Sequence, residues 1–261
     1  MHPLLPRAVL SMTIEPLTLA ALALVGLFAG FVDAIAGGGG MITVPALLSV
    51  GMPPVAALAT NKLQSIVGTT IAVGTYRRKG LMSLRALLPS AIAAFAGSMA
   101  GALVVSRIDT GILSVAVPVA LIAIAAYFLF APRLTDADRT ARLGFTPYLP
   151  IVAFAIGFYD GLFGPGTGSF FTLAFVVLFG LGVTRAAGHT KALNWASNFG
   201  ALVLFIFSGA VVWQVALVMA AGQIVGGYLG AVTGIRFGVK VIRPLVVVVS
   251  IAMALKLIFF P

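Results

Sequence analysis

The chain has no cysteine and only two histidines, His2 and His189, in 261 residues. Without thiols it can form neither a disulfide nor a thiolate metal site, and its redox compartment cannot be read. His189 has no second histidine near it in sequence and is read as a hydrogen-bonded packing residue, so neither a metal nor a cofactor is assigned. Charge is scarce too. Charged residues make up 8% of the chain and acids number only six, whereas hydrophobic residues make up 61%. The mean hydropathy is +1.16. A soluble domain of this length cannot hide that much apolar surface, because a large share of any globule faces water. A polytopic helical membrane protein can, because lipid solvates the surplus.

The formal net charge of +10 would hint at nucleic acid in a soluble protein. Here the basic residues cluster in short loops between apolar runs, so they are read as topology-setting charge, with no nucleic-acid partner. Ala34-Ile35-Ala36 imitates a signal-peptide cleavage site. The apolar run from Leu17 to Ala36 is longer than an h-region of about 7–15 residues, and it is read as a retained membrane segment.

Apolar runs close to the length that spans a bilayer, about 20 residues, fall near 17–36, 55–76, 83–106, 110–131, 147–163, 188–208, 211–235 and 241–260. Two shorter runs, 41–50 and 169–181, each follow a glycine-rich stretch. Short, glycine-interrupted segments in corresponding places of two halves point to a transporter's binding site.

The halves do correspond. An offset of 127 carries Gly30, Phe31, Asp33, Gly37 and Gly39 onto Gly157, Phe158, Asp160, Gly164 and Gly166. Beyond the second glycine loop the offset is 129, and it carries Thr43, Lys62, Gly97 and Gly101 onto Thr172, Lys191, Gly226 and Gly230. The expected architecture is all-α and polytopic, with two repeats of about five segments and short re-entrant or broken helices after the glycine loops. Residues 1–130 form the first repeat, 131–146 a cytoplasmic linker and 147–261 the second repeat. Arg77, Arg78 and Lys79 follow the third segment of the first repeat, whereas Arg236, Lys240 and Arg243 follow the fourth of the second. With basic loops in the cytoplasm, equivalent segments run in opposite directions and the repeats are inverted. Arg7 stands against the outside N-terminus that this topology requires.

Three groups of residues carry the candidate chemistry. Gly37-Gly38-Gly39-Gly40 and Gly164-Pro165-Gly166-Thr167-Gly168 each precede a short helix whose N-terminus would lie at membrane depth. Its free N–H groups and positive dipole end suit an anion; a tight packing turn is the alternative. Lys62, Ser65 and Thr69 share one helical face by their spacing, and Lys191, Asn194 and Asn198 repeat that stripe. Asn61, Gln64, His189, Thr190 and Ser197 widen it. The lysines are expected to face a polar interior, because an ammonium within a span costs at least about 2.5–3.5 kcal/mol; snorkelling to the interface is the alternative. Asp33 and Asp160 lie inside apolar segments, where they could carry protons, pair with the lysines or cap the short helices. A ladder of small residues, Gly222, Gly226, Gly230 and Gly234, with Ala93, Gly97 and Gly101 as its first-half counterpart, implies close helix packing.

The pattern GFVDAIAGGGGMITVPALLSVGMPPVAALATNK, with GFYDGLFGPGTGSFFTLAF and HTKALN in the second half, resembles the sulfite exporter TauE/SafE permease family over roughly residues 17–260. The resemblance implies transport of a small sulfur-containing anion, such as sulfite or an organosulfonate like sulfoacetate. By position it implies a site at Asn61-Lys62, Thr190-Lys191 and the two glycine loops. Leu193 stands where the first half has Gln64, so the two halves of the site differ. The implied setting is the cytoplasmic (inner) membrane as a multi-pass protein, with the bilayer and a small anion as partners and a homodimer as a possible assembly. The rival readings are an anion channel using the same pore and an intramembrane aspartyl protease. The protease lacks support, because neither Phe31-Val32-Asp33 nor Phe158-Tyr159-Asp160 supplies a Gly-x-Gly-Asp element. The chain is therefore not read as an enzyme.

Overall fold

The computed structural model describes residues 15–129, 136–238, 240, 241 and 248. The expected last segment, 241–260, and the charges Arg7, Arg133 and Arg243 lie outside the described residues, apart from the two positions just named. Among the described residues there are nine helices and no strand: α1 (Pro16–Ala36), α2 (Gly39–Ser49), α3 (Pro54–Arg78), α4 (Leu84–Val105), α5 (Thr110–Leu129), α6 (Phe145–Leu162), α7 (Thr167–Val177), α8 (Val183–Phe207) and α9 (Trp213–Phe237). Four of these, α1, α4, α6 and α9, are long and apolar enough to cross a membrane. Large apolar side chains point outward from them, Leu17 being 80% exposed and Ile151 65%, an arrangement only lipid solvates. Helices α3 and α8 are as long as α9, at 25 residues, but their apolar length is broken by the polar stripes.

Helices α2 and α7 are 11 residues each, roughly 16 Å at about 1.5 Å per residue, or half a bilayer core of about 30 Å. Each doubles back. Leu47 on α2 shares a core cluster with Leu22, near the start of α1, and with Ala56 and Ala57, near the start of α3. Phe175 on α7 likewise shares a cluster with Leu149, near the start of α6, and with Val183 and Ala186 on α8. The reversal after α1 needs only one unusual residue, Gly37, which takes a left-handed φ of 80°. The second uses two, Gly164 at 86° and Gly166 at 81°. The other glycines of the runs are mostly helical: Gly39 and Gly40 open α2, and Gly168 lies in the first turn of α7. The helices therefore resume earlier than a glycine run by itself suggests.

The small-residue ladders pack across the halves. A Cβ on Gly222, Gly226 or Gly230 of α9 would run into the carbonyl of Ala23, Leu27 or Phe31 on α1. The same holds for Gly97 and Gly101 of α4 against Phe154 and Phe158 on α6. In both pairs the register advances in the same sense, so α1 and α9 run parallel, as do α4 and α6. The counterparts α3 and α8 run antiparallel. Trp195 Nε1 donates to Thr70 Oγ1 over 2.8 Å, whereas further along α3 Tyr76 lies against the earlier residue Gly188.

The linker straps one end of this assembly. Arg139 N–H donates to the Gly180 carbonyl, and Arg142 and Leu143 N–H to that of Leu178. Asp138 accepts from Gly182 N–H at 2.7 Å and pairs with Arg185 at 2.5 Å. These bonds hold the Asp138 carboxyl below the usual carboxylate range, the Gly182 N–H contributing most.

Candidate functional site

The two glycine loops meet in the middle of the molecule. A Cβ on Gly37 would collide with Gly168, and one on Gly40 would lie 3.2 Å from Pro165 Cα. Ser169 Oγ donates to the Ala36 carbonyl over 2.8 Å, and Tyr159 Oη donates to that of Pro165 over 2.5 Å. Between the loops is a small polar cavity of about 10 Å³, room for about one water.

Its walls come from both halves: Asp33, Gly37, Gly40, Asn61 and Ser65 from the first, and Asp160, Gly164, Gly166, Thr167, Gly168, Asn194 and Asn198 from the second. The N-termini of α2 and α7 both open on it. Gly38 is the N-cap of α2, and Asp33 Oδ1 accepts from Gly39 N–H at 3.3 Å. The Asp33 carboxylate therefore serves the first amide of the half-helix, six residues on.

Both lysines are fully withdrawn from the surface, Lys62 at 1% exposure and Lys191 at 0%. Each crosses to the other half. Lys62 Nζ sits 2.6 Å from Asp160 Oδ1 and beside Gly164. The contact is an ion pair without good hydrogen-bond direction: Lys62 Nζ and Asp160 Oδ2 are both left without a hydrogen-bond partner. Lys191 Nζ instead donates to the backbone carbonyl of Asp33, an oxygen that also accepts from Gly37 N–H at 2.8 Å.

The shell behind the cavity repeats. Thr43 donates to Asn61 Oδ1, and Thr172 pairs with Thr190 at 3.1 Å; the four positions correspond at the offset of 129. Thr43 and Thr172 also bond to the carbonyls of Gly39 and Gly168, at 3.2 and 2.9 Å. Gln64 stands behind Asn61, donating to its Oδ1 over 2.8 Å. Asn198 Nδ2 donates to the Asn194 carbonyl over 2.8 Å.

His189 is not in the cavity wall. Its Nδ1 pairs with the Arg185 carbonyl at 2.8 Å, and its ring packs against Phe145 and Phe175. Proximity to Thr190 in sequence does not bring it inward, because successive helical residues point about 100° apart. Thr43, Thr172 and Tyr159 are structural partners of the site that a search for charged motifs passes over. The threonines carry a signal, being polar residues matched between the repeats. Gln223 is a further one, buried at 1% exposure on α9; its signal is a lone amide in an apolar segment.

A helical membrane protein with two half-helix N-termini around a buried polar cavity belongs to the class of membrane transporters, and comparison with known proteins agrees. The sequence profile of the family Sulfite exporter TauE/SafE matches residues 22–257, and the chain belongs to that family. The chain is 47% identical to the "Probable membrane transporter protein ORF9" of Sinorhizobium sp, over 93% of each chain. It is 43% identical to the "Probable membrane transporter protein YfcA" of Escherichia coli K12, over 94% of this chain and 91% of that one. A Bacillus subtilis protein, "Probable membrane transporter protein YunE", is 26% identical over 91% of this chain and 96% of its own. No solved structure matches.

Proposed function

We propose that this protein is a secondary transporter that carries a small sulfur-containing anion, sulfite or an organosulfonate such as sulfoacetate, across the cytoplasmic membrane. The observation that carries this reading is the cavity where the two half-helix N-termini meet, with two buried ammonium groups held behind it. Helix N-termini and lysines together favour an oxyanion. The parallel α1–α9 and α4–α6 pairs, and the antiparallel α3 and α8, support two inverted repeats about an axis through this cavity. Its small volume speaks for a carrier caught closed rather than an open anion channel, because a multi-atom anion needs the loops to part.

The Lys62–Asp160 pair balances charge within the site. An arriving anion competes with Asp160 for the Lys62 ammonium. A buried carboxylate stripped of its cation is costly, so displacement is coupled to Asp160 taking up a proton, and anion and proton move together. Asp33 is tied to the α2 amide instead.

Proteoliposome uptake of sulfite and sulfoacetate tests this reading. Wild-type uptake saturates and accumulates the anion down a pH gradient. Asp160→Asn still binds the anion but loses pH-driven accumulation, whereas Asp33→Asn keeps a capping oxygen and retains it. Accumulation by Asp160→Asn equal to wild type would remove the coupling role, and unsaturable ohmic current would favour a channel.

A further inference from the structure

We infer that Gln223, on α9 and outside the cavity wall, is a positioning residue that makes Asn61 present a hydrogen-bond donor to the anion. The inference rests on the anion-site reading above. Gln223 Nε2 donates to Gln64 Oε1. Gln64 Nε2 in turn donates to Asn61 Oδ1 over 2.8 Å and to Ser65 Oγ over 3.1 Å. Asn61 Oδ1 also accepts from Thr43. An amide has one acceptor end and one donor end. With Oδ1 claimed from behind, Asn61 turns Nδ2 toward the Gly40 side of the cavity, where a Cβ on Gly40 would lie 3.6 Å from it.

Each amide of the relay is oriented by the one before it, Gln223 being the first, and Asn61 Oδ1 is met in addition by the hydroxyls of Thr43 and, over 3.4 Å, Ser65. Room for its head group is reserved: a Cβ on Gly30 or Gly68 would collide with Gln223 Oε1. The mirror-image relay does not exist: at the offset of 129 the position matching Gln64 is Leu193 in the second half, and the position matching Gln223 is Ala94 in the first. Without Gln223, Gln64 is free to turn its Oε1 toward Asn61. The Thr43 hydroxyl can give its hydrogen to the Gly39 carbonyl instead and accept from Asn61 Nδ2, so Asn61 then swings its own oxygen into the cavity, an acceptor facing an anion.

The test is binding of sulfoacetate to the purified full chain, with thermal melting as a check on folding. Gln223→Met keeps the shape but not the donor, and its affinity falls about tenfold or more, the weight of a hydrogen bond to a charged group. Gln64→Leu, which copies Leu193, falls similarly, and the double variant is no weaker than either single one, because all three break the same relay. Gln223→Glu supplies the sharper signature. As a neutral acid its O–H donates to Gln64 and preserves the relay; as a carboxylate it only accepts and reverses it. Its affinity relative to wild type therefore starts near one at acid pH and falls as pH rises. A packing role would leave that ratio flat. Wild-type affinity in Gln223→Met, additive losses in the double variant, or a flat Gln223→Glu ratio would each overturn the inference while Lys62→Ala still abolishes binding. If wild type binds neither sulfoacetate nor sulfite, or Lys62→Ala binds like wild type, the reading of the site fails and the inference with it.

Discussion

The two halves of the central site are built on one plan and differ where charge is handled. In the second half Asp160, near the end of α6, meets the lysine of the opposite half through its side chain at 2.6 Å. In the first half Asp33 meets the opposite lysine through its backbone carbonyl, and its carboxylate serves the α2 amide. Backbone features are similar: both loops turn at glycines with positive φ, and each threonine bonds to the carbonyl four residues before it. The two loops thus share a backbone frame and differ in where their side chains go. In the mechanism proposed above, the ion pair is the contact an arriving anion opens, and the capped helix end is the one that holds shape.

The largest expected effect separates the two lysines. Lys62→Ala strands Asp160 in the interior and costs about 3–5 kcal/mol of stability, whereas Lys191→Ala leaves the Asp33 carbonyl bonded to Gly37 N–H and its carboxylate bonded to Gly39 N–H and costs about 1–3 kcal/mol. Melting in detergent measures both. Adding Asp160→Ala to Lys62→Ala should recover part of the loss, and adding Asp33→Ala to Lys191→Ala should not. Equal recovery in the two pairs would erase the difference between the halves.

The next test concerns what the halves share. Gly97→Ala and Gly226→Ala each push a methyl into the backbone of a parallel neighbour. Each should cost about 1–3 kcal/mol, the usual range for overpacking, and by similar amounts. A loss confined to one of them would mean the α1–α9 and α4–α6 pairs are not equivalent.

The smallest effect is expected at the linker strap. Asp138→Asn removes an exposed pair worth about 0.2–1 kcal/mol. Because folding lowers the Asp138 pKa, its contribution is present above the ordinary carboxylate pKa and is lost as pH falls through the lowered value. The wild-type melting advantage over Asp138→Asn should therefore shrink on acidification. A constant advantage would leave the strap to its backbone bonds alone.

Much of this was legible in the residues. The apolar runs located the helices, with boundary shifts where polarity hid helical length. Helix α8 begins at Val183, five residues before the apolar run near 188, because Thr184, Arg185 and His189 dilute the hydropathy. The paired Asp and glycine runs announced two equivalent loops, and the lysine stripes announced polar faces on α3 and α8. Spacing placed His189 beside the stripe, but its ring is turned to Phe145 and Phe175. Gln223 was missed because a single amide in an apolar ladder has no periodic signal.

What the sequence determined by itself, among the described residues, is where the helices lie and that two short ones follow the glycine runs, because hydropathy and glycine content are local properties that lipid and helix geometry read directly. Which partner each buried group takes was decided only by the tertiary structure. Lys62 reaches Asp160, 98 positions away, and Lys191 reaches Asp33 across 158. Such contacts depend on the two loops meeting at Gly37 and Gly168, where the absence of side chains lets the backbones touch. Close backbone approach then sets whether a lysine arrives at a carboxylate or at a carbonyl, a choice of a few ångströms that no one-dimensional pattern encodes.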